Sequence, residues 1–236
     1  MENIKTERLK REKETSLKGR LLGLRKAYND HLKSLPAIFY YPNTADLMLY
    51  PAIRDIVNDV INVDFTKEEL EELSVAISGA LAWWREPIER RLIQLISEAA
   101  DEKFVLDPET VLNLASTCFH CSNCGECFPS SYAFEHGCAR NYGYIYGMNS
   151  NIVERTLEES SWNAQGQICF KLETLKAHAR ALQICGFDPK TTPASHLNEL
   201  DPIIECLDCN FQRDGRHMMK WFKVVSTLKY TTYGFH

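Results

Sequence analysis

The chain has 236 residues, 44% of them hydrophobic, which is enough for one large domain or two small ones and excludes a chain disordered throughout. A net charge of −5 provides no general attraction to nucleic acid or to an anionic membrane. No apolar run reaches about eighteen residues and no signal-peptide pattern opens the chain, so no membrane association is expected and the cytoplasm or nucleus is the expected location.

Residues 2 to 33 are predicted to form one charged helix, with Ile4, Leu9, Leu17, Leu21, Leu22, Leu24, Tyr28 and Leu32 on a broken apolar stripe. Ten Lys or Arg stand there against five Asp or Glu, so this segment carries +5 and the remainder −10. The two signs are interleaved, which favours a solvated or packing helix over an arm that tracks phosphates. Pro36 ends the helix, because a residue before proline avoids the helical region. Residues 36 to 42 then read as an aromatic linker.

Pro51 suits the first position of a short helix over 52 to 58. Residues 60 to 65 alternate in polarity and are expected to be extended. Thr66 and Glu69 form a capping box for a helix carrying Leu70, Leu73, Ile77, Ala80, Leu81 and Trp84. Pro87 is expected to interrupt that helix, with a second one over 88 to 100, and Asp107-Pro108 to start another short one.

Residues 118 to 138 hold five of the nine Cys and two of the seven His. Zinc takes four thiolate or imidazole ligands in a tetrahedron, and a Cys-x2-Cys step supplies two of them from one tight loop. Overlapping steps run Cys118-x2-Cys121-x2-Cys124-x2-Cys127, and the return pair is His136-x-Cys138. The favoured ligand set is Cys121, Cys124, His136 and Cys138, with Cys118 or Cys127 as alternatives for one of the first two. Four donors close at hand suggest a closed structural Zn2+ site. A catalytic site would keep an open position, and no His-Glu-x-x-His or deaminase-type signature is present. A short helix over 129 to 135 would deliver His136 and Cys138.

Residues 139 to 166 read as loop. A helix is predicted over 168 to 185, closed by Gly186, and another from Pro193 to about Leu200. A second, possible metal site would be built on a turn containing Cys206-x2-Cys209 with His217, and Cys185 as fourth ligand. His178 competes for that role. Residues 218 to 230 are predicted to form a final helix.

Several of these residues also form an ordered set. Asp46-Leu-Met-Leu-Tyr-Pro51 and Trp84-Arg85 precede Ser116-Thr-Cys-Phe-His-Cys121 and His136-Gly-Cys138. Cys185-Gly-Phe-Asp-Pro189, Cys206-x2-Cys209 and Met219-Lys-Trp221 follow. Over roughly residues 45 to 225 this resembles the C-terminal region of the F-box-type proteins of mushroom-forming fungi. In such proteins the F-box binds the adaptor of a cullin ubiquitin ligase, and the resemblance implies that the region seen here is the substrate-facing part. The chain departs from that pattern at its N-terminus, which holds a charged helix and no Leu-Pro-x-Glu-type F-box segment. It departs again where the usual His after the late Trp is replaced by Ser226-Thr227.

The expected fold is therefore mainly α, a helical body with one or two small zinc-stapled knuckles. Its segments are a charged helix (1–35), a helical region (36–116), the knuckle (117–140) and a second helical region (141–236). The expected function is a non-enzymatic, zinc-stabilised protein-interaction module with a protein partner. A nucleic-acid-binding zinc finger is the first alternative, disfavoured by Ser130, Ser131, Tyr132 and Glu135 where a reading helix needs Arg, Lys, Asn or Gln. A metal-dependent hydrolase comes last.

Overall fold

The computed structural model describes residues 2–37, 40–59, 62–99, 107–140, 151–211 and 215–224, with the side chains of 2–4 and 206–211 left aside. Helix predominates. The helices are α1 (Glu2–Leu32), α2 (Thr44–Leu47), α3 (Pro51–Asn58), α4 (Lys67–Trp83), α5 (Arg85–Ala99), α6 (Ser130–Ala133), α7 (Gly137–Arg140), α8 (Ile152–Leu157), α9 (Leu172–Ile184) and α10 (Ala194–Leu200). The strands are β1 (Cys118–Cys121), β2 (Cys127–Pro129), β3 (Ile168–Phe170), β4 (Ile203–Phe211) and β5 (Gly215–Lys220). The chain folds as two compact units, one of residues 1–88 with 140–164 and one of residues 89–139 with 165–236.

In the first unit the inner stripe of α1 (Leu21, Leu24, Tyr28) packs with Ile53 and Val57 of α3, Leu73 and Ile77 of α4, and Leu157 of α8. The segment after Asn58 lies against α1 where Gly19 and Gly23 face Val63 and Phe65. A Cβ on Gly23 would stand 2.9 Å from the Phe65 ring, so any larger residue there would force that ring to shift. Arg20 lies between them, 1% exposed, with its guanidinium 4.3 Å from the centre of the Phe65 ring. It donates to the Ile56 carbonyl and, at 2.7 Å, to Glu69 Oε1. Glu69 also closes the Thr66 capping box, so one carboxylate caps α4 and neutralises a buried cation.

Elsewhere in that unit, buried Asp46 accepts from the backbone N–H groups of Asn43 and Trp162, and Asn43 Nδ2 donates to the Ser160 carbonyl. These bonds latch α2 to the chain that follows α8. Burial raises the Asp46 pKa, against those two N–H donors.

The second unit holds an antiparallel sheet in the order β2-β1-β3 and a separate β4-β5 hairpin. Ala115, Leu182, Ala194, Leu197 and Trp221 form a core beside them. Asp107 and Asp188 each start an Asp-Pro-x-Thr turn. In both, one carboxylate oxygen accepts the N–H two residues on and the other accepts the Thr hydroxyl three residues on.

Several expectations are corrected here. Residues 62 to 65 are irregular, while 60 and 61 lie outside the described residues. The helix break falls at Trp84, and Pro87 sits in the first turn of α5, where its missing N–H has no partner to lose. Asp107-Pro108 leads through its turn into a single 3-10 turn, Val111–Asn113. Residues 168 to 170 form β3, so the helix begins only at Leu172. Cys206 and Cys209 lie on a strand and not on a turn. The expected final helix is instead β5 followed by the 3-10 turn Trp221–Lys223, and 225 to 230 lie outside the described residues. Helix α8 stands in the stretch read as loop, opened by a capping box of Asn151 and Glu154.

Candidate metal centre

Strand β1 delivers Cys121 at its end. The chain then turns through residues 122 to 125, with the Gly125 N–H donating to the Cys121 carbonyl and the Cys121 N–H to the Glu126 carbonyl. Gly125 has φ +77°, which glycine adopts at no steric cost. This turn brings Cys124 back over Cys121. Strand β2 and the single turn of α6 then carry the chain to His136, and α7 presents Cys138.

One donor atom from each of Cys121, Cys124, His136 and Cys138 lies within 4.8 Å of all the others. Ligands at zinc's usual bond lengths stand ~3.3 to 3.8 Å apart on a tetrahedron's edges, so closing the cluster needs only small side-chain rotations. Cys124 Sγ is 3.4 Å from His136 Nε2, which makes Nε2 the ring atom that faces the site. The orientation of that ring is set by Phe128, whose ring stacks on His136 at 4.4 Å and 26°. Asn123 Nδ2 donates to Cys138 Sγ at 3.4 Å, a contact that supports a thiolate at that position.

The electrostatics favour a cation. Burial, and after it the neighbouring Cys121 and Cys138 thiols, push Cys124 up to about 11. Burial lowers the pKa of His136, which keeps its ring neutral and able to coordinate. A bound divalent ion removes the cost of crowding thiolates, because it becomes the largest charge in the site.

Pairing explains which cysteines are left out. Phe119 lies opposite Phe128 and Phe170, and His120 lies opposite Cys127 and Cys169. Side chains alternate along a strand, so Cys118, His120, Cys127 and Cys169 share one face of the sheet while Cys121 belongs to the other. Cys169 Sγ is 3.6 Å from His120 Nδ1 and also donates to the His120 carbonyl at 3.3 Å. Cys118 is fully buried, and burial raises its pKa well above the usual thiol value. The alternatives Cys118 and Cys127 are thus facing away from the cluster.

For the second candidate, β4 and β5 place Cys206 directly opposite His217. Cys209 is three residues further along β4, inside the stretch between Cys206 and Phe211 where the register shifts. The side chains of Cys206 and Cys209 are not among those described. Cys185 is exposed at the end of α9. His178 is buried, with Nδ1 3.2 Å from the Thr174 carbonyl and Nε2 3.4 Å from the Phe222 carbonyl, as a core histidine held by backbone. Among the described side chains, no further group of three such donors lies close enough to hold an ion.

Three supporting residues were not foreseen. Asn123 and Phe128 lie inside the knuckle, but spacing carries no signal for them. Lys223 pairs with Glu126 at 2.6 Å from 97 residues away, which no local pattern could disclose. No family model, no curated protein and no solved structure matches this chain. No helix among the described residues is long and apolar enough to cross a membrane.

Proposed function

We propose that this chain is a zinc-stapled protein-interaction module without catalytic activity. The observation that carries the reading is the convergence of Cys121, Cys124, His136 and Cys138 within 4.8 Å at the junction of β1, β2, α6 and α7. Three thiolates and an imidazole are the donor chemistry of a closed structural Zn2+ site. The role of the ion would be to fix short elements that cannot hold their own geometry: a four-residue strand, a three-residue strand and two single-turn helices. The resemblance narrows the partner to a ubiquitin-ligase substrate, with this chain as the receptor's substrate-facing part.

Metal content by mass spectrometry tests the staple. The purified chain should carry about one zinc through this site, and Cys121→Ser should lose it and unfold the knuckle, because binding energy at such sites is largely folding energy. Cys127→Ser should keep the ion. Full metal retention and stability in Cys121→Ser would overturn the ligand set. Co-precipitation of a cullin adaptor with the chain would support the narrower reading, and its absence would remove it.

A further inference from the structure

The loop that brings Cys124 into the cluster, residues 122 to 126, is exposed along its whole length. Its near end is tied by the Ser122 N–H to the Gln167 carbonyl at 2.8 Å. Its far end is held by Lys223 Nζ, which donates to Glu126 Oε1 at 2.6 Å. One residue earlier, Phe222 stacks on Tyr132 of α6 at 5.3 Å and 29°, on the turn that leads to His136. The segment Trp221–Lys223 therefore grips both arms of the ligand set. Its own position is fixed from the body of the unit: Trp221 is 3% exposed and its Nε1 donates to Asn198 Oδ1 at 3.2 Å. The Phe222 carbonyl faces buried His178.

We propose that Trp221–Lys223 is a clasp that sets how fast the ion leaves the cysteine–histidine centre, a proposal that rests on reading that cluster as a metal site. The clasp contributes no ligand, so it acts on exchange rate and not on stoichiometry. A closed four-coordinate site exchanges its ion when one ligand arm swings out and admits a competing ligand. Cys121 is fully buried at the end of a central strand, whereas Cys124 rides on the exposed loop and is the arm free to move. The Lys223–Glu126 pair and the Phe222–Tyr132 stack oppose that motion.

The test loads the full chain with Zn2+ and follows its transfer to an excess of a chromogenic chelator by stopped flow. Lys223→Met and Glu126→Gln should each speed transfer by up to about fivefold, the range of a half-exposed ion pair. The double variant should be no faster than Lys223→Met, because that change already removes the ion pair together with the Lys223 contact over the Phe222 ring. Added salt should accelerate the wild type and leave Lys223→Met unchanged, since only the first has a pair to screen. Phe222→Ala should speed transfer about two- to tenfold, the range for an aromatic pair. The amplitude should stay at one zinc per chain in all of them. Transfer at the wild-type rate in Lys223→Met and Glu126→Gln, with full amplitude, would overturn the clasp while leaving the metal site standing. Zero amplitude in the wild type would overturn the metal reading and the clasp with it. Should Phe222→Ala fail to fold, the Lys223 and Glu126 variants change only partly exposed side chains and still decide the matter.

Discussion

Arg20 and Glu69 are the pair on which the first unit is most sensitive to a single change. Arg20 is a long cation almost wholly removed from water, and it survives there through the Ile56 carbonyl, the Phe65 ring and the Glu69 carboxylate. Its hydrogen bond to Glu69 holds that carboxyl below its ordinary pKa. Removing the carboxylate leaves a buried charge without its counter-ion and α4 without half of its cap. Glu69→Ala should therefore cost about 3 kcal/mol in urea denaturation, whereas Glu71→Ala, on the exposed face of α4, should change stability by less than ~0.5 kcal/mol. Equal effects would show that the ion pair is of no consequence.

His178 makes a pH-dependent claim at the same scale. Burial pushes it down to about 4, against the opposing pull of the two carbonyls that face it. Its folded-state pKa thus lies below the unfolded value near 6.5, so the unfolded chain binds more protons between those two values. Stability is then fully present above about pH 6.5 and declines as pH falls toward 4, by up to about 3 kcal/mol. A bound ion at the proposed centre would also be lost in acid, so the comparison that isolates this residue is wild type against His178→Gln. The variant should show a shallower loss of stability between pH 7 and 5; parallel curves would contradict the assignment.

At the scale of elements, capping chemistry and helical periodicity were legible, and pairing was not. Pro51, the Thr66–Glu69 box and Gly186 each mark a helix end that the structure places there, Gly186 with φ +83°. The same grammar was present at Asn151 and Glu154 but went unread inside a Gly- and Tyr-rich stretch. Asn151→Ala should cost about 1 kcal/mol and fray α8, measurable as faster amide exchange over residues 152 to 157; unchanged exchange would count against the cap. Residues 168 to 170 continue the apolar spacing of α9, yet they pair with β1 because β1 would otherwise present an open edge. Cys206-x2-Cys209 illustrates the limit of spacing more sharply. The step suits a metal turn, but β5 offers a partner strand and the backbone bonds of the hairpin decide the outcome.

The cysteine–histidine cluster itself was legible because its donors are close in sequence, and the choice among five cysteines depended on a fact that sequence lacks. Only the β1–β2 register assigns Cys127 to the face of His120 and away from Cys121.

At the scale of the whole molecule, the two units are unequal in what they ask of the ion. The first has a contiguous apolar core from α1, α3, α4 and α8. In the second, the knuckle joins short strands and single turns whose geometry the proposed ion would fix. A chelator should thus remove amide protection from residues 118 to 140 and 168 to 170 while leaving α1, α3 and α4 protected, as read by hydrogen exchange with mass spectrometry. Uniform loss, or none, would contradict a local staple.

X-ray absorption at the zinc edge of the purified chain reads the identity and geometry of the proposed coordination shell directly. The shell should hold three sulfurs at about 2.3 Å and one nitrogen at about 2.0 Å, reduced by one sulfur or lost altogether in Cys124→Ser. A shell dominated by oxygen, a spectrum unchanged in Cys124→Ser, or a chain that takes up no zinc would contradict it.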